Sequence, residues 1–293
     1  FSGGIERDGE IHAERRDLRK TRCQPRRRDR QASARPAKPP RFVGQRRYGR
    51  LEIVHIGQGF SHPHEHDVRE LPPFASKDAA GKCVGWEIDF ADAMCAEVKE
   101  KCEIVPTAWD GIIPALITKK FDIIMSGMTL TQERNMKISF AKPYIVIGQS
   151  ILIDKKLAGT VTSYKDLNNK KYKVASKLGT TGEQATKRMI PNCEYISFET
   201  EQEGVMDLLN GKIDAFVYDL PFNAIAFAEK GQGKLELLDE PFTYEPLAWA
   251  VNKGNADFIN WLDNFLIQAK NDGTYDKIYK KWFLSDAWLK ELQ

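Results

Sequence analysis

Long apolar runs are missing from this chain of 293 residues; those present are short, such as Ile145-Val146-Ile147. A membrane span needs about 20 mostly apolar residues, so no transmembrane helix is expected. A secretory h-region of about 7–15 apolar residues is missing as well. With Phe rather than Met at position 1, the sequence is expected to begin mid-stream or on a foreign start. Cysteine is scarce, with five residues at Cys23, Cys83, Cys95, Cys102 and Cys193, and no Cys-x-x-Cys occurs. That argues against a cysteine-rich metal site and a small disulfide scaffold. There is no Gly-x-Ser-x-Gly and no credible Cys–His pair, so nucleophilic catalysis has little support.

A strong overall charge is also lacking, at 44 Lys+Arg against 41 Asp+Glu. The near balance hides a division. Residues 1–50 carry 16 basic and 6 acidic side chains, which leaves the remainder at a net charge of −7. The basic character therefore belongs to a tail, and an acidic body argues against a nucleic-acid partner. The tail includes Arg26-Arg27-Arg28-Asp29-Arg30 and has no hydrophobic periodicity. It is expected to be disordered. The body has the means to fold, since 42% of the chain is hydrophobic. Its length allows one large domain or two of about 100–150 residues.

From Gly81 onward strand and helix patterns alternate. Val84–Ile88 reads as a strand or entry loop. A helix follows, with Phe90, Ala91, Met94, Cys95 and Val98 at helical spacing. Glu103–Pro106 reads as a strand. Asp110 can cap a helix that takes Pro114 in its first turn. Phe121–Met125, Tyr172–Ser176, Glu194–Phe198 and Ile213–Asp219 read as further strands. Thr180 and Glu183 have capping-box spacing, and Gly211 stops a helix that ends at Leu208-Leu209-Asn210. Residues 115–124 and 207–216 share one pattern: a helix end, a basic turn, then an apolar strand opening on an Asp. This predicts an α/β fold of two related lobes with mostly parallel sheets. Ligands in such folds sit beyond the carboxyl ends of strands.

Those strand ends carry suitable chemistry. Arg134 offers a planar fork for a carboxylate and Thr129 a hydroxyl, while Gly127 permits close backbone approach. The start of a helix at Thr180-Thr181 offers N–H groups that favour an anion. Asp219 can hold an ammonium, and Trp109 can supply an aromatic wall. A carboxylate site beside an ammonium site describes an α-amino acid. Each group also has an ordinary explanation: a surface ion pair for Arg134, a helix cap for Asp219 or Thr180, the core for Trp109.

The phrasing of the chain goes further. Pro72-Pro73-Phe74, Val84-Gly85-Trp86-Glu87-Ile88-Asp89, Trp109-Asp110-Gly111-Ile112-Ile113-Pro114, Ser126-Gly127-Met128-Thr129-Leu130-Thr131-Gln132-Glu133-Arg134, Leu178-Gly179-Thr180-Thr181-Gly182-Glu183 and Asp272-Gly273-Thr274-Tyr275 occur in order. From about Pro72 to Trp282 this text resembles the periplasmic polar amino-acid-binding proteins of ABC importers, the family-three solute-binding group. The resemblance implies a two-lobed periplasmic-binding-protein fold of type II with two hinge crossings, near Ile145–Ser150 and Pro241–Ala248. Lobe one would take residues 51–146 and 244–293, and lobe two residues 147–243. It implies that Arg134, Thr129 and Thr181 hold the ligand carboxylate and Asp219 the α-ammonium. The Gly127 backbone would receive either group, Trp109 would form the side-chain wall, and Lys177 would reach the ligand side chain. It implies a monomer without cofactor that hands a polar or basic L-amino acid to membrane permease subunits.

Cys95 and Cys102 lie close enough for a helix-to-strand disulfide, which some relatives appear to share; two buried thiols are the other reading. A disulfide would fit an oxidising periplasm. The alternative function on this scaffold is a cyclohexadienyl dehydratase, with Glu183 as the candidate acid. Upstream of Leu71 the resemblance fails: Leu71 and Val68 replace an aromatic and an acidic residue. Leu51–Gly57 can still form a first strand, followed by His62, His64 and His66, a polar loop for which no metal site is expected. The preferred explanation is that residues 1 to about 70 are read in a shifted frame, which would leave lobe one without its central strand.

Overall fold

The computed structural model describes residues 50–54, 72–105, 107–285 and 287–290, with backbone alone for residues 50–54 and Lys290. The basic tail up to residue 49, Cys23, the three alternating histidines, Val68 and Leu71 lie outside the described residues. The first half runs β1 (Arg50–Val54), a hairpin of β2 (Ser76–Lys77) and β3 (Cys83–Val84), α1 (Trp86–Val98), β4 (Lys101–Ile104), α2 (Ile112–Ile117), β5 (Ile123–Ile124), α3 (Gln132–Lys137) and β6 (Ser139–Phe140). Then come β7 (Ile145–Ile147), β8 (Gln149–Asp154), β9 (Lys173–Lys177), α4 (Thr181–Met189), β10 (Glu194–Phe198), α5 (Glu201–Leu209), β11 (Ala215–Asp219), α6 (Leu220–Ala226) and β12 (Leu235–Leu238). The chain returns through β13 (Glu245–Leu247), β14 (Ala250–Val251), α7 (Ala256–Asn271) and α8 (Thr274–Phe283).

Two five-stranded sheets result, ordered β4-β1-β5-β14-β6 and β10-β9-β11-β8-β12. They share one plan. The first three strands in each are mutually parallel, and the remaining two pair antiparallel to their neighbours. The internal similarity of residues 115–124 and 207–216 thus marks equivalent parts: α2 into β5, and α5 into β11, each the third strand of its sheet. The expected crossings contain β7 and β13, which pair antiparallel between the sheets. Strand β1 stands between β4 and β5, so the first sheet has a strand at the place the shifted-frame explanation would leave empty.

Local chemistry explains the departures from the sequence reading. The first helix begins at Trp86, within the stretch expected as a strand or entry loop. Gly85, at φ 146°, turns the chain there, and a Cβ on it would collide with the backbone of Phe74 and Ala75. The first helical N–H groups find carbonyls in the preceding segment, Trp86 N to Pro73 O at 3.0 Å and Glu87 N to Phe74 O at 2.9 Å. Asp110 does not cap α2; it lies in a short 3-10 turn, and Gly111 precedes the helix. Only half of the Thr180–Glu183 box forms, whereas Thr200 and Glu203 form a complete one.

Trp86, Phe90, Tyr144 and Trp249 are buried together and form an aromatic core beneath the first sheet. Tyr275, Tyr279 and Phe283 bring one face of α8 onto it. Cys95 and Cys102 form a disulfide that staples the end of α1 to β4. Among the described residues no helix is long and apolar enough to cross a membrane.

Candidate ligand-binding site

A small cleft, partly open to solvent, lies where loops and strand ends of the two sheets meet. Its lining comprises Trp109, Ser126, Gly127, Thr129 and Arg134 on one side, and Thr180, Thr181, Tyr218 and Asp219 on the other. Six of the seven residues singled out from sequence therefore meet at one cavity. Lys177 is not among the lining residues. It is buried, with Nζ 2.6 Å from Oε2 of the equally buried Glu201.

On the first side the loop that leaves β5 does most of the work. Ser126 to Thr131 follow the strand, and Thr131 caps α3 by accepting from the backbone N–H of Arg134 at 3.1 Å. That cap starts the short helix and turns the Arg134 side chain back over the loop. Nη1 of Arg134 donates to the carbonyl of Thr129 at 2.9 Å, and the guanidinium lies over Trp109 at 5.2 Å from the ring centroid. Burial lowers the pKa of Arg134 from its ordinary value, while Glu245 and Asp219 act to raise it. Gly127 sits at φ 60°, a conformation that favours glycine. Its N–H donates to Oε1 of Glu87 at 3.0 Å, which leaves the carbonyl as its group for a ligand.

The second side presents the opposite charge. Asp219 ends β11 at the N-terminus of α6, but its side chain does not cap that helix. Oδ1 instead accepts from Nε2 of Gln149 at 2.6 Å. Burial pushes the Asp219 carboxyl up to about 7, and Glu245 pushes in the same direction. The Gln149 hydrogen bond and the Arg134 charge pull it down, and Glu201 adds to the rise. The start of α4 lies beside it, held by Glu183: Oε2 accepts from the N–H of Gly179 at 2.6 Å, and Oε1 from Lys187 at 2.6 Å. Both oxygens of the candidate acid are thus already engaged.

Direct bonds cross the cleft. Trp109 Nε1 and Arg134 Nη2 both donate to the carbonyl of Gly179, at 2.9 and 3.3 Å, and the hydroxyls of Thr129 and Thr181 lie 3.5 Å apart. Gln149, the first residue of β8, also reaches Thr181 Oγ1 at 3.4 Å. Sequence reasoning placed Ser126 at the strand end without a role and missed Gln149, Tyr218, Glu245 and Glu87. Glu87 had a signal in the Gly85-Trp86-Glu87 phrase and Tyr218 only its place beside Asp219; Gln149 and Glu245 depend on how the crossings bring distant strands together. A fork that fits a carboxylate and, opposite it, a carboxyl group able to hold an ammonium can together bind a small zwitterion.

Comparison with known proteins agrees with this geometry. The family model of bacterial extracellular solute-binding proteins, family 3, matches residues 68–285. ABC transporter arginine-binding protein 1 of Escherichia coli strain K12 is 32% identical over 219 residues, covering 72% of this chain and 86% of that protein. The L-cystine-binding protein TcyJ of the same organism is 29% identical over 216 residues, covering 74% and 80%. Among solved structures, a protein of Wolinella succinogenes described as the binding component of an ABC transporter, complexed with lysine, is 45% identical with a TM-score of 0.76; the match covers 83% of this chain and 99% of that one. An ancestral amino-acid-binding protein described as a precursor of cyclohexadienyl dehydratase is 43% identical with a TM-score of 0.72, covering 80% and 96%. With most of its described body matched in both sequence and architecture, the chain belongs to family 3 of the bacterial extracellular solute-binding proteins.

Proposed function

We propose that this protein captures a polar or basic L-amino acid in the cleft and delivers it to the permease subunits of an ABC importer, working as a monomer in the periplasm. One observation carries the reading: Arg134 and Asp219, buried and opposite in charge, line one cavity from opposite sides. In this assignment Arg134, Thr129 and Thr181 take the α-carboxylate. Asp219 and the Gly127 carbonyl take the α-ammonium, and Trp109 forms an aromatic wall. The relatives support the substrate class, since they are proteins that bind arginine, cystine and lysine. The engaged oxygens of Glu183 remove the support for its role as the acid of a dehydratase.

Closure follows from the same contacts. The Gly179 carbonyl sits on the Arg134 and Trp109 donors, so a ligand carboxylate that bridges Arg134 and the start of α4 would add to bonds already crossing the cleft. Bonds made only when the lobes meet shift the population toward the closed state. A thermal-shift screen of the full chain against the common L-amino acids tests the reading. A ligand at about 100 times its Kd stabilises by about 2.7 kcal/mol, roughly 5–10 °C for a body of this size. A selective shift, lost in Arg134→Ala, is the expected outcome. A sharply melting protein that responds to none of them would refute it.

A further inference from the structure

Glu87 lies on α1, outside the cleft lining, and is fully buried. Three donors converge on its two oxygens. Gly127 N–H reaches Oε1 at 3.0 Å, the Tyr144 hydroxyl donates to the same oxygen, and Trp249 Nε1 reaches Oε2 at 2.9 Å. These donors come from distinct parts of the fold. Gly127 belongs to the ligand loop, Tyr144 immediately precedes β7, and Trp249 lies between β13 and β14. The ligand loop is itself laid against β13: Leu130 N donates to Pro246 O at 2.8 Å, Ala248 N to Met128 O at 3.0 Å, and Thr129 bridges Leu247. Tyr144 N donates to Leu247 O at 3.0 Å, and the rings of Tyr144 and Trp249 stack at 5.4 Å.

We infer that Glu87 is a positioning residue for ligand capture: its carboxylate fixes the Gly127 loop to the lobe-one ends of both hinge crossings, so that the ligand contacts and the crossings are set as one unit. This rests on the amino-acid-binding reading. The chemistry calls for a carboxylate, because each of its two oxygens meets an N–H group that can only donate, Gly127 on Oε1 and Trp249 on Oε2. An amide in its place offers one acceptor oxygen and brings an NH₂ group against a donor, leaving a buried group unpaired. Burial pushes the Glu87 carboxyl up from its ordinary value, and the hydrogen bonds from Tyr144, Gly127 and Trp249 pull it back.

Four full-length proteins test this by calorimetric titration with the amino acid selected in the screen: wild type, Glu87→Gln, Trp249→Phe and the double variant. Amide exchange at Gly127 is followed in each. Glu87→Gln is expected to weaken binding about tenfold, the equivalent of one unpaired buried group, and to speed Gly127 exchange while the far-ultraviolet circular dichroism stays native. Trp249→Phe removes the donor that an amide NH₂ would meet, so the double variant is expected to bind more tightly than Glu87→Gln alone. A residue with a merely structural role would lower the melting temperature and leave Kd within about twofold, with no recovery in the double variant; that result overturns the inference while the wild type still binds. Failure of the wild type to bind any amino acid would overturn both readings. Should Glu87→Gln not fold, Tyr144→Phe removes one donor without adding another. It is then expected to weaken binding and to speed Gly127 exchange, and unchanged values of both would overturn the inference.

Discussion

On the first-sheet side of the cleft the donors of Arg134 and Gly127 are already engaged. Arg134 is bonded to the Thr129 carbonyl and lies over Trp109, and the Gly127 N–H is taken by Glu87. On the second-sheet side Asp219 has Gln149 as its hydrogen-bond donor, stands near Glu245, and is pushed up to about 7 by burial. Two sheets with one topology thus carry sites finished to different degrees. In the proposed amino-acid site the difference would divide the labour. A preset cation fork would select for a carboxylate at little reorganisation cost. The buried carboxyl carries a desolvation penalty that a ligand ammonium would relieve.

The largest break in this comparison comes from Arg134→Ala. Truncating one member of a buried, hydrogen-bonded charge pair costs about 2–5 kcal/mol, so affinity should fall by roughly 30- to several thousand-fold in a calorimetric titration. Asp219→Asn should also lose affinity, by at least about tenfold, yet make the empty protein more stable. The sign follows from linkage. A carboxyl whose folded pKa lies near 7, above its unfolded value near 4, contributes stability at pH below 4 that is lost as pH rises through 7. The shift corresponds to at most about 4 kcal/mol. The variant should therefore melt higher than wild type at pH 8 and match it near pH 4.

A titration in pH sharpens the same contrast. The groups acting on Asp219 are Glu245, Gln149, Arg134 and Glu201. Wild-type affinity should weaken by up to about tenfold per unit below pH 7, as the ligand ammonium competes with a proton. At pH 7 capture should release protons, read by calorimetry in buffers of different ionisation enthalpy. Asp219→Asn should show neither effect. The smallest effect belongs to Glu183→Gln, which loosens Gly179 at the start of α4; a drop in affinity of about threefold is expected, in keeping with one weakened hydrogen bond.

Much of this molecule is legible in its sequence where the signal is local. The alternating elements, the repeated turn into β5 and β11, and the polar residues at strand ends follow from spacing and residue type. The start of α1 was misplaced because Gly85 and the carbonyls of Pro73 and Phe74 complete the helix from outside it. Gln149 and Glu245 could not be found as site neighbours by the same route. They belong to the crossings, and their nearness to Asp219 exists only once β8, β11 and β13 are assembled. Lys177, which the family resemblance assigns to the ligand side chain, is held in the interior by Glu201, 24 residues on, a pairing that the sequence does not show.

The central claim is that one cleft binds both ends of an α-amino acid. Calorimetric titration of the selected amino acid beside its N-acetyl and its α-amide derivatives tests it most directly. Loss of about 100-fold or more for each derivative is predicted, since each leaves a buried charged group without its partner. Binding of either derivative as tightly as the parent amino acid would contradict it.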